Sequence, residues 1–182
     1  MNVPEDVRAI AGVPTSVTAF VGATKLGPAN APAHCLSFSD YEQQFGGLAR
    51  TSDVSYAVRQ FFANGGTDAV VVCIAKGRRP LAERIVAGIH ALDRADLFNL
   101  LCVPGVSDPV VLAEAIAYCR ARRAFLIVDV SATTIKPDDV LALIASADLP
   151  KSDHAAVYFP WIQEPDPLRR GKLRSTPPSG TM

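Results

Sequence analysis

The feature that most constrains this chain is a series of short, nearly unbroken apolar runs at 17–22, 69–75, 97–103, 124–130 and 155–159. Val, Ile, Leu and Phe dominate them, with little alternation of polar residues. A strand that faces water on one side alternates, whereas a strand covered on both sides does not. The runs therefore predict an open, mostly parallel sheet with helices on both faces, a three-layer α/β fold. A further short run at 33–38 fits an edge strand.

Helical patterns fill the gaps. Ser39 and Glu42 have capping-box spacing for a short helix through Phe45. Ser52 is placed to cap a second helix, with Val54, Ala57, Val58 and Phe61 on one side and Gly65-Gly66 as its stop. Pro80 opens a third, with Leu81, Ile85, Ile89 and Leu92 on one stripe. Asp108-Pro109 opens a fourth, with Leu112, Ala115, Ile116 and Cys119 facing inward. Pro137 opens a fifth, carrying Val140, Leu141 and Ile144. Strands alternating with helices imply right-handed crossovers. Phe61, Leu100, Phe125 and Ile127 are predicted core residues.

Past Trp161 the composition changes to prolines, basic residues and few apolar ones. The sequence thus divides into a short N-terminal stub at 1–12, an α/β core at 13–162 and a Pro/Arg-rich tail at 163–182. The tail is expected to be flexible and exposed, without a core of its own.

Charge narrows the partners. Eighteen basic residues balance eighteen acidic ones, so no overall field draws the chain to nucleic acid or to an anionic membrane. No apolar stretch has the length of a membrane span. The four cysteines, Cys35, Cys73, Cys102 and Cys119, form no CxxC pair. They read as packing residues of a protein folded in a reducing cytoplasm, not as metal ligands.

An α/β sheet invites a search for a nucleotide site. The first strand ends Gly22-Ala23-Thr24-Lys25-Leu26-Gly27-Pro28-Ala29. Its two glycines have phosphate-loop spacing, but Pro28-Ala29 stands where the lysine and hydroxyl residue belong, so the loop reads as a turn. Asp129 ends an apolar strand and reads as a strand-end polar residue, not a metal ligand. His34, His90 and His154 are not paired in sequence with a nucleophile; His34 and Cys35 are neighbours on a strand and point to opposite faces. Arg169, Arg170, Lys172 and Arg174 form a basic run without interleaved aromatics, which reads as a solvated loop. No catalytic, cofactor-binding or metal residue is expected, and no cofactor.

Taken in order, several blocks resemble the contractile-tail sheath family, most nearly its phage-like branch. They are Gly12-Val13-Pro14-Thr15-Ser16-Val17-Thr18-Ala19-Phe20-Val21-Gly22, Gly27-Pro28, Ser37-Phe38-Ser39-Asp40-Tyr41 and Phe45-Gly46-Gly47-Leu48. Ser55-Tyr56-Ala57-Val58, Phe61-Phe62, Asn64-Gly65-Gly66 and Val70-Val71-Val72 follow. Then come Asp96-Leu97-Phe98-Asn99-Leu100-Leu101-Cys102-Val103-Pro104, Tyr118-Cys119 and Arg122-Arg123-Ala124-Phe125-Leu126-Ile127-Val128-Asp129. Tyr158-Phe159-Pro160-Trp161 and Pro177-Pro178-Ser179-Gly180 close the series.

The resemblance implies a structural, non-enzymatic subunit of a phage or phage-like injection device. Its partners would be other sheath subunits in helically stacked six-membered rings, the inner tail tube protein, and baseplate and tail terminator proteins. Neither nucleic acid nor membrane insertion is involved. Assembly would take place in the bacterial cytoplasm, and the product would sit in the virion tail. Against the family pattern, the N-terminal arm is short, 76–93 replaces a large inserted domain, and a C-terminal domain does not follow Gly180. A trimmed or fragmentary sheath core is therefore expected. The rival expectations are a small α/β enzyme or nucleotide-binding module, and a sheath-related remnant that does not assemble.

Overall fold

A computed structural model describes residues 16–134, 136–146 and 149–181. The stub at 1–12 and the start of the Gly12 block lie outside the described residues. Six strands form the main sheet: β1 (Thr18–Gly22), β2 (Pro32–Cys35), β3 (Ala69–Cys73), β4 (Leu100–Cys102), β5 (Phe125–Asp129) and β6 (Ala155–Tyr158). Their order is β2-β3-β1-β4-β5-β6. Every pairing is parallel except that of the edge strand β2 with β3. The α/β sheet read from the apolar runs is present.

Strand parity sorts the core into two layers. Ala19 and Val21 of β1, with Val70, Val72, Leu101 and Leu126, meet α3 (Leu81–Ala91) and α4 (Pro109–Arg122) on one face. Phe20, Val71, Cys102 and Ile127 point the other way, toward α1 (Phe38–Phe45) and α2 (Asp53–Ala63). Both β1 and β3 are buried along their whole length, as strands covered on two faces must be. The four cysteines are buried and unbonded.

The starts of α1, α2 and α4 follow capping chemistry. Ser52 Oγ accepts from the Ser55 amide, and Asp108 accepts from Val110 and Val111. α1 starts earlier than the Ser39 reading: Ser37 is its cap and accepts from the Asp40 amide, while Asp40 accepts from the Leu36 amide. That reciprocal pair satisfies two amides at once and outcompetes the later serine. On α3, Ile85, Ile89 and Leu92 are buried, but Leu81 is exposed because it sits on the first turn, at the rim of the sheet. The fifth helix, α5 (Pro137–Ala145), buries no residue; Leu141 is 64% and Ile144 41% exposed, and Leu143 packs inward instead. Phe61 and Ile127 are core residues as predicted. Leu100 and Phe125 are only half-buried, since each is the first residue of its strand.

The largest difference lies at 163–182. Over the described residues to 181, the segment expected to be a flexible exposed tail forms regular structure: 167–173 is exposed, as expected, but 174–180 packs against the rest of the fold. β7 (Ile162–Pro165) and β8 (Leu173–Thr176) form an antiparallel hairpin, and a 3-10 turn at Pro178–Thr181 lies against α2. Thr176, Pro178, Ser179 and Gly180 are buried. With few large apolar residues, this segment shares the core of the sheet and α2 in place of forming its own.

Candidate functional site

The strand order reverses around β1, so the crevice beyond its C-terminal end is where a doubly wound fold binds ligands. It is lined by Gly22, Ala23, Ser52, Asp53 and Gly105 and holds about 150 Å³, below the usual size of a small-molecule site. The loop with phosphate-loop spacing does not lead into a helix. Leu26 N–H donates to the Phe45 carbonyl (2.9 Å), Ser52 Oγ donates to the Ala23 carbonyl (2.6 Å), and the chain continues to the edge strand β2. Gly27 has φ +110° and lies so close to the Phe45 ring that a Cβ would come within 2.6 Å. Gly22-Ala23-Thr24-Lys25-Leu26-Gly27 is a turn tied to α1, as the Pro28-Ala29 reading predicts.

Beside this crevice the C-terminal segment is clasped to the sheet. Asp129, at the end of β5, is 1% exposed. Its Oδ1 accepts from the Ser179 amide (2.9 Å), and its Oδ2 accepts from Ser179 Oγ (2.7 Å) and the Gly105 amide (3.1 Å). Burial pushes the Asp129 carboxyl above its ordinary value, opposed by the hydrogen bonds from Ser179 and Gly105. The Ser179 amide, Ser179 hydroxyl and Gly105 amide all donate to this carboxylate, an arrangement for holding a segment and not for holding a metal. Gly180 seals the contact: a Cβ there would stand 2.4 Å from Ala57 Cα and 2.5 Å from the Ala57 carbonyl oxygen.

A second group of polar contacts holds the hairpin to α2. Tyr56 Oη donates to Asp166 Oδ1 (2.8 Å), and Gln60 Nε2 donates to Thr176 Oγ1 (3.0 Å). Arg174 stacks 4.1 Å over the Tyr56 ring and pairs with Asp53 at 2.6 Å. Burial pushes the Tyr56 hydroxyl up to about 12, with the bond to Asp166 adding to the effect. Burial would raise Asp166 too, but the Tyr56 hydroxyl, the Leu168 amide, Arg174 and Arg169 together hold it below its ordinary value. The basic run is thus divided: Arg169, Arg170 and Lys172 are exposed, as a solvated loop should be, whereas Arg174 is half-buried in the clasp.

The other candidates stay apart. His34 pairs with Asp68, His90 with Glu114, and His154 Nδ1 lies 3.1 Å from the Ala124 carbonyl. Cys35 faces Gln44, and burial pushes its thiol up to about 12, which suppresses nucleophilic thiolate. Among the described residues no cluster of His, Cys, Asp or Glu could hold a metal, and no helix is long and apolar enough to cross a membrane. Sequence reasoning missed the roles of Tyr56, Gln60, Asp166 and Ser179. Asp166-Pro167 carried a usable signal, because it repeats the Asp108-Pro109 capping pattern and opens a 3-10 turn.

No family model matches the chain, and no curated protein matches it. Solved structures do. The contracted helical sheath of an anti-feeding prophage is matched over 100% of this chain and 49% of that one, with 23% identity and a TM-score of 0.64. The contracted PVC sheath of an extracellular contractile injection system is matched over 94% and 43%, with 21% identity and a TM-score of 0.68. A sheath tail protein from Listeria innocua is matched over 94% and 55%, with 10% identity and a TM-score of 0.54. These likenesses establish a shared fold. The chain spans about half the length of the solved chains it matches.

Proposed function

We propose that this chain is a structural subunit, the α/β core of a contractile tail sheath, and not an enzyme. The observation that carries the reading is the likeness in fold to sheath chains over essentially the whole described length. The small crevice beyond β1 supports it: the turn at Gly22–Gly27 in sequence is tied to α1, and Asp129 and Asp53 are both engaged by the C-terminal segment. In this reading the sheet and its helices form a stiff block. The clasp fixes the C-terminal segment to it through Asp129, Gly180 and Arg174, so load passes between segment and sheet without local unfolding. Contraction is then a repacking of such blocks between two lattice states, with no bond chemistry. The partners are further sheath subunits, an inner tube protein, and baseplate and terminator proteins. The assembled product is the tail of a phage-like particle built in the cytoplasm.

Quantitative mass spectrometry of particles purified from producing cells tests this. The expected result is a copy number in the tens to hundreds per particle, rising with tail length. Absence from particles, or nucleotide hydrolysis that disappears in Asp129→Ala, would overturn it.

A further inference from the structure

A basic groove of about 410 Å³ opens beyond the C-terminal end of β3, where the chain passes into α3. β1 and β3 are parallel, so the groove lies at the same edge of the sheet as the crevice beyond β1. Unlike that crevice it has the volume of a small-molecule site, and it takes no part in the clasp. Doubly wound folds bind ligands at this edge, outside the carboxyl ends of the strands. Lys76, Arg78, Arg79 and Arg84 line the groove against a single carboxylate, Glu83. None of the four cations has an ion pair among the described residues.

The walls of the groove are held in place. Asn30 N–H donates to the Cys73 carbonyl (2.7 Å), and Asn30 Oδ1 accepts from the Ala75 amide (3.3 Å), so one wall is pinned to the end of β3. Arg84 Nε donates to the Ala75 carbonyl at 2.7 Å, which fixes a half-buried guanidinium beside the groove. Lys76, Arg78 and Arg79 are exposed on the short loop between β3 and α3. Cations gathered in one hollow repel one another, and an anion among them turns that repulsion into attraction. α3 starts at Leu81 behind Pro80, and no side chain caps its first turn, so the positive end of the helix dipole adds to the field of the loop.

We infer that this groove binds an oligophosphate chain, either free or as the phosphates of a nucleotide. Guanidinium forks match phosphate oxygens in pairs, so Arg78, Arg79 and Arg84 hold the phosphates, and Lys76 supplies a point charge. Four cations against one carboxylate leave an excess of three positive charges, which a di- or triphosphate neutralises. No aromatic residue lines the groove, so nothing there stacks a base. Its apolar surface is limited to the small side chains of Ala75 and Ala87. The phosphates are therefore the recognised group, and the nucleoside is not. The groove holds no histidine and only the one exposed carboxylate, so the site binds without cleaving. It goes beyond the structural role and does not depend on it.

Isothermal titration calorimetry of the full chain with tripolyphosphate, ATP and adenosine tests it. Tripolyphosphate and ATP bind with similar affinity, adenosine does not bind, and added salt weakens both. R78A/R79A lowers the affinity about tenfold or more, with circular dichroism unchanged. Glu83→Gln tightens binding, and an unchanged or weaker affinity there would place the anion elsewhere. R169A/R170A removes two exposed cations at the tip of the β7–β8 hairpin and leaves the affinity as it was. An equal loss in that variant would mean a general attraction to surface charge and would overturn the site. So would ATP binding without tripolyphosphate binding, binding of neither, or full affinity in R78A/R79A. Particle mass spectrometry keeps the two readings apart. A chain that binds tripolyphosphate but is absent from tails refutes the sheath role alone, and a tail subunit that binds no phosphate refutes only the groove.

Discussion

Replacing Gly180 with alanine adds one methyl group and isolates the clasp from the rest of the fold. The added Cβ would lie 2.4, 2.5 and 2.8 Å from Ala57 Cα, O and C. These are backbone atoms in the middle of α2, which a rotamer change cannot move. Either the 3-10 turn at Pro178–Thr181 shifts and strains its bonds to Asp129, or it lifts away. Overpacking of this kind costs about 1–3 kcal/mol, occasionally more. Lifting away gives up the two Ser179 hydrogen bonds to Asp129, each worth about 1.5–3 kcal/mol when a charged group accepts. The cheaper route sets the outcome, so the expected destabilisation is about 2–3 kcal/mol. For a chain of this size that lowers the melting temperature by roughly 5–10 °C. Urea denaturation measures the first quantity. Limited trypsin digestion reports the local event, with faster cleavage at Arg174, which the clasp half-buries. An unchanged midpoint together with unchanged cleavage at Arg174 would refute the reasoning, because the methyl group would then have found room that the packing denies it.

Two carboxylates of the clasp should respond to pH with opposite signs. The Asp129 carboxyl is raised in the folded state, so its contribution is fully present below the unfolded value of about 4 and is lost as pH rises through the folded value. The stability difference between wild type and Asp129→Asn should therefore shrink as pH rises above about 4, and a widening gap would contradict this. Asp166 is held low, so the gap between wild type and Asp166→Asn should be present at neutral pH and close as pH falls below about 4; constancy through that range would contradict it. In the core, Ile127→Ala at a 5% exposed site should cost about 2–5 kcal/mol. The half-buried Phe125 should cost less on truncation to alanine than the 3–5 kcal/mol typical of a buried phenylalanine. Equal denaturant midpoints for the two variants would show that burial does not rank these positions.

The sheet was legible because Val70, Val71 and Val72 and their counterparts are apolar on both faces, a pattern that only a covered strand requires. The caps at Ser52 and Asp108 were legible because their partners lie two or three residues away. The clasp was not, for the opposite reason. Asp129 and Ser179 are 50 residues apart, and Tyr56 and Asp166 are 110 apart. Neither member of either pair carries a local sign of the other. The prolines and arginines of 163–182 signalled exposure by composition, but Pro178, Ser179 and Gly180 are small enough to fit against α2, and Arg174 is half-buried by stacking on Tyr56. α5 misled in the other direction: Leu141 and Ile144 have the spacing of a core stripe but stay exposed. A stripe that is buried and one that stays exposed look the same in sequence.

The central claim is that this fold serves as a building block of a contractile tail, and a helical reconstruction of tails from producing cells tests it most directly. The account predicts an outer layer around the tube whose repeating unit accommodates the six-stranded sheet in the order β2-β3-β1-β4-β5-β6, with the C-terminal turn clasped at Asp129. Tails whose outer layer is built wholly from another chain, with no density for this sheet, would contradict it.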